Sequence, residues 1–125
     1  MLIEIPYKTP TINHLYWHRG NIKIMKKEAK ELREKIIKLL PINEFTEADK
    51  LEVEVYIFEN WFTKQNEVKK KDIMNREKFL LDSVFEGLEL DDKMIFKISM
   101  SKINGNEEKT IIRIKKINEI AFNLV

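Results

Sequence analysis

The sequence predicts an α+β fold: a mixed or antiparallel sheet carrying two main helices. Three observations lead there. Leu51, Val53, Val55 and Ile57 alternate strictly with Glu52, Glu54, Tyr56 and Phe58, the period-two signature of a strand with one buried face. Two other stretches repeat apolar residues at helical spacing. Asn104-Gly105-Asn106 sits between two further extended runs and marks a turn. The 125 residues make one domain, 1–125, because a chain of this length fills one core.

Leu2 to Pro6 alternates and reads as a short strand ended by its proline. Thr9 to Asn13, with Pro10, reads as irregular. Leu15 to Ile24 has Gly20-Asn21 between two extended pieces, which predicts a hairpin. The first helix is expected over Met25 to Leu40, with Met25, Ala29, Leu32, Ile36 and Leu39 as its apolar stripe and Pro41 as its stop. The clear strand begins at Leu51, and Trp61 and Phe62 extend its apolar character before a polar, basic loop from Thr63 to Lys71. A second helix is expected over Ile73 to Leu88, with Asp72 as its N-cap. Ile73, Leu80, Leu81, Val84 and Leu88 form its inner face, and Gly87 with Asp91-Asp92 ends it. Met94 to Ser101, with Phe96, Ile98 and Met100 on one face, pairs in this reading with Thr110 to Ile117 as a closing hairpin. Asn118 to Val125 is a last helical turn or strand.

Composition excludes several classes. With no cysteine, disulfides, thiolate zinc sites and cysteine nucleophiles are ruled out. Two histidines, His14 and His18, leave any metal to oxygen ligands. No apolar run approaches the roughly 20 residues of a membrane helix, and the start MLIEIPYK lacks a signal-peptide pattern. These features predict a cytoplasmic protein without membrane contact.

The chemistry concentrates in Lys69-Lys70-Lys71-Asp72-Ile73-Met74-Asn75-Arg76-Glu77-Lys78, followed by Asp82 and Asp91-Asp92. Taken singly, Asp72 is an ordinary cap, Asp91-Asp92 a solvated turn and the lysines a wet loop. Taken together, they suit a Mg²⁺ site with a basic rim. Hard cations take carboxylate oxygens and keep several waters, and the metal activates a water against a phosphodiester that the lysines hold. Asp72, Asn75 and Lys78 project from one helix end, and a chain reversal could bring Asp91-Asp92 back toward Asp72.

In these residues the chain resembles the RusA family of Holliday junction resolvases. The likeness rests on Pro10, Asn13, Tyr16-Trp17 and His18-Arg19, then on the basic run, Asp72, Asn75, Lys78, Asp82 and Asp91-Asp92. The resemblance implies a homodimeric, Mg²⁺-dependent endodeoxyribonuclease, with Mn²⁺ as a substitute metal, that cuts two opposed strands of a four-way DNA junction. It implies Asp72, Lys78 and Asp91 as catalytic residues, and Asp72, Asp91 and Asp92 as metal ligands. Lys69, Lys70, Lys71, Asn75, His18 and Arg19 are then the DNA contacts. One departure stands out: Met74 occupies the place of a family aspartate, and a thioether is a poor Mg²⁺ ligand. Either Glu54 or Glu77 replaces it, or two aspartates suffice, or the protein binds junctions without cutting them. A third class, an interaction domain with no nucleic-acid role, draws on the near-balanced net charge of +2.

Five aromatics have two readings each. Tyr16 and Trp17 stack on bases or pack on the sheet. Phe79 wedges into a junction or joins the core, and Trp61 and Phe62 serve a dimer interface or the core. Charge is segregated: Lys97, Lys102, Lys109, Arg113, Lys115 and Lys116 face only Glu107 and Glu108 within the last expected hairpin, which predicts a basic face there.

Overall fold

Strand β4 (Leu51–Glu59) is the spine of the molecule, and its odd-numbered residues are all buried while its even-numbered ones are half-buried. The structure is a computed structural model that describes residues 1–8, 16–71 and 74–117, with the backbone alone for 16–19, 22–23 and 74–77. Its other elements are β1 (Leu2–Ile5), β2 (Tyr16–Arg19), β3 (Ile22–Met25), α1 (Lys27–Lys38), α2 (Met74–Gly87), β5 (Ile95–Asn104) and β6 (Lys109–Lys116). A 3₁₀ turn over Asp92–Met94 links α2 to β5. The expected elements are present at nearly the expected bounds. Those placed on Thr9 to Asn13 and on Asn118 to Val125 lie outside the described residues, as does the Asp72 cap.

The main sheet runs β1-β6-β4-β5, and β2 and β3 form a separate hairpin around Gly20 at φ 61°. β4 pairs with β5 in parallel and with β6 in antiparallel. The expected closing hairpin is therefore corrected: β5 and β6 flank β4 and do not pair with each other. The turn signal was real, but the connection crosses the end of β4, where the Gly105 N–H donates to the Glu59 carbonyl at 3.0 Å. Adjacent strands lie about 4.8 Å apart, so the crossing spans roughly 10 Å, within reach of the four residues 105–108. The α2 crossover puts β5 parallel to β4, leaving β4's other edge for the returning strand.

One face of the sheet is the core. Ile3, Ile5, Leu51, Val53, Val55, Ile57, Ile112 and Ile114 join Ala29 and Ile36 of α1 and Phe79, Leu80, Val84 and Phe85 of α2 in a single cluster. The helices lock together through Arg33, whose guanidinium reaches Glu86 at 3.1 Å and lies 5.5 Å over the Phe79 ring. Gly87 fits beneath α1: a Cβ there would overlap Leu40 Cδ1 and stand 3.0 Å from Ile37 Cγ1. Phe79 is fully buried, which settles its two readings in favour of the core. Trp61 is buried and Phe62 exposed. On the edge strand β5, Phe96 falls at a register shift, and both it and Ile98 remain exposed.

Candidate nucleic-acid and catalytic site

The backbone that leads into Asp72 is built at the C-terminal end of β4. Trp61 anchors it: the indole N–H donates to the carbonyls of Ile57 at 3.2 Å and Ile103 at 3.1 Å, and the main-chain N–H donates to Asn104 Oδ1 at 3.0 Å. A small arm follows, closed by the Phe62–Val68 bridge and by the Thr63 N–H donating to the Glu67 carbonyl at 2.7 Å. Asn66 takes the left-handed conformation at φ 65°, which asparagine tolerates in tight turns. The chain then returns to the sheet, where the Lys69 N–H donates to the Trp61 carbonyl at 2.8 Å.

Lys71 is held at three points. Its N–H donates to the Lys69 carbonyl at 2.9 Å. Its carbonyl accepts from Lys102 Nζ at 2.6 Å. Its own Nζ donates to Glu59 Oε2 at 2.9 Å. Glu59 is only 2% exposed, and Lys8 Nζ stands 4.0 Å from the same oxygen. The Lys102 ammonium also lies 4.8 Å over the Trp61 ring, a cation–π contact that orients it.

Of the expected DNA contacts, Lys70 is exposed, Lys69 is half-buried, and Lys71 is committed to Glu59. Asp72 lies outside the described residues. Asn75 sits in the first turn of α2, and His18 and Arg19 lie on β2, each described by backbone alone. Lys78 is exposed on α2, with Asp82 one turn on at 3.9 Å. Asp91 and Asp92 lie at the other end. Asp91 Oδ1 accepts from the Lys93 N–H at 2.9 Å and caps the 3₁₀ turn.

Two rulers agree that one chain does not bring these ends together. The 14 residues of α2 span about 21 Å. The strand β5, which starts just after the 3₁₀ turn, meets β4 with Ile95 beside Leu51 and reaches Asn104 beside Glu59. Within one chain, Asp91-Asp92 therefore lie a helix length from Met74 at the start of α2. Among the described residues, no three acidic or histidine side chains gather to hold a metal.

Over residues 6–115 the chain matches the family described as endodeoxyribonuclease RusA. It belongs to the RusA endodeoxyribonuclease family. No curated protein matches it significantly. RusA membership makes it a chain of a DNA endonuclease family, which sets aside the interaction domain without a nucleic-acid role. The matched span contains every acidic and basic residue of the expected site.

The chain departs from expectation in two charged features. Glu54, one of two candidates to stand in for the aspartate at Met74, faces away from the helices on the even side of β4. It accepts from the Tyr56 hydroxyl at 2.8 Å and pairs with Lys115 at 3.1 Å and Arg113 at 3.4 Å. The Tyr56 hydrogen bond first, and then Lys115, hold its carboxyl below the usual range, and the same bond holds the Tyr56 hydroxyl above its own. Glu54 cannot join α2's end, and the side chain of Glu77 lies outside the described ones. The expected basic face is also largely neutralised: Lys97 and Lys115 pair with Glu52, Lys109 with Glu4 and Glu107, and Lys116 with Asp49.

Glu59 is the residue that the expectation missed. The signal was present: the buried parity 51, 53, 55, 57 continues to 59, and a carboxylate at a core position is rare unless paired.

Proposed function

We propose that the protein is a structure-specific endodeoxyribonuclease that resolves four-way (Holliday) DNA junctions in recombination and repair. It acts in the cytoplasm as a homodimer and requires Mg²⁺, with Mn²⁺ as a substitute. The carrying observation is the RusA match across residues 6–115, which includes Lys69–Lys78. In this reading Asp72 is the essential acid and Lys78, exposed beside it in sequence, meets the scissile phosphate. Lys69, Lys70, Asn75, His18 and Arg19 contact the DNA backbone, and Lys71 supports that end from within. A homodimer also suits this reading, because a partner chain can bring its Asp91-Asp92 to the end of α2 that follows Asp72, and a two-fold substrate matches a two-fold pair.

Met74 favours a second reading, a junction-binding protein that does not cut. Incubation of the protein with a labelled four-way junction and with matched linear duplex, with and without Mg²⁺, separates the two. Metal-dependent paired cuts in the junction alone are expected. Asp72→Asn is expected to abolish cutting and keep binding within about threefold. Binding without cutting supports the second reading, and equal affinity for junction and duplex overturns both.

A further inference from the structure

We infer that Glu59 is a positioning residue for this site: its buried carboxylate, through Lys71, fixes the backbone that carries Asp72. This rests on the reading of Asp72 above, and it assigns Lys71 to the protein's interior chemistry as well as to its basic run.

The geometry carries the inference. Glu59 sits on the helix-facing side of β4, 2% exposed, where a lone charge is costly unless paired. Its Oε2 takes Lys71 Nζ at 2.9 Å and faces Lys8 Nζ at 4.0 Å. Its main-chain carbonyl takes the Gly105 N–H at 3.0 Å, which ties the β5–β6 crossing to the same residue. Lys102 fixes the Lys71 carbonyl at 2.6 Å. The peptide one residue before Asp72 is thus gripped at its carbonyl by one lysine and at its side chain by a buried carboxylate. Without the Glu59 charge, the ammonium groups of Lys71 and Lys8, which share its Oε2, would lose that shared counter-charge, and like charges at close range repel. Groups one shell behind a reacting centre commonly change metal affinity or activity by about 10- to 100-fold.

The test uses the full chain and the variants Glu59→Gln, Lys71→Met and the charge swap Glu59→Lys with Lys71→Glu. Hydrogen exchange at the amides of Lys69 and Lys71 reads the grip whether or not DNA is cut. Glu59→Gln is expected to speed exchange there at least tenfold while amides of β4's core residues keep their rate. The Mg²⁺ concentration for half-maximal junction cleavage is expected to rise about tenfold, with junction affinity in Ca²⁺ unchanged. The swap is expected to recover at least part of both, because it restores the pair with its polarity reversed. Wild-type exchange at Lys69 and Lys71 in Glu59→Gln overturns the inference. So does faster exchange with an unaltered Mg²⁺ requirement. A wild-type chain that never cuts overturns the nuclease reading of the site, and with it the catalytic half of this inference, while the exchange rates still judge the grip.

Discussion

Met74 opens α2 at the place where the RusA resemblance expects an aspartate. Of the two acids that could stand in for it, Glu54 lies on the even side of β4, paired with Tyr56, Lys115 and Arg113. Met74→Asp is the informative substitution. A carboxylate in the first turn of a helix is favourable by about 0.3–1 kcal/mol, so the variant is not expected to lose stability. Mg²⁺-dependent junction cutting is expected to rise at least tenfold over the wild type; an unchanged, silent variant that still binds junctions supports the non-cutting reading. At this scale the sequence was most legible for plain exposure, as at Lys70 and Lys78. It was least legible for Glu59 and Glu54. Two carboxylates five residues apart on one strand lie on opposite faces, and only the parity of the strand separates them.

The open face of the sheet shows the same point for an element. Six of the basic residues that suggested a nucleic-acid face lie on β5 and β6, and cross-strand register hands most of them a partner: Glu52 stands between Lys97 and Lys115, and Glu54 beside Arg113. Summing charges along a segment misses this, because the neutralising glutamates belong to β4, inserted between the two strands. Such exposed pairs contribute little each, but their sign is readable. Glu54's carboxyl is held low by Tyr56 and Lys115, so it titrates lower in the folded chain than in the unfolded one. Its contribution is complete above the unfolded value, about pH 4, and is lost as pH falls through the lower folded value. Thermal melting from neutral to acid pH is expected to show this as a shallower acid limb in Glu54→Gln than in the wild type. Identical acid limbs would remove Glu54 from the balance.

For the whole molecule, the element list was readable from local pattern, but the pairing order was not. Hairpin signals report neighbours in sequence, whereas β4 inserts between β5 and β6 through contacts that no local window contains. The same limit governs the site. Asp72 and Asp91-Asp92 look like one cluster along the chain, yet α2 puts a helix length between Met74 and Gly87, the described residues that separate them in sequence. Mixed dimers decide what joins them. Asp72→Asn and Asp91→Asn chains, each carrying a different tag, are co-expressed, and the doubly tagged species is isolated. If each site takes Asp72 from one chain and Asp91 from its partner, one of the two sites in the mixed dimer carries both substitutions and the other carries neither. The mixed dimer is then expected to nick one strand of the junction, while each parent homodimer cuts none. If each chain supplied its whole site, both sites of the mixed dimer would carry one substitution and no strand would be cut. If Asp91 acts only as the cap of its 3₁₀ turn, the Asp91→Asn homodimer cuts by itself. The three patterns differ in the number of strands cut, so a denaturing gel of the labelled junction distinguishes them.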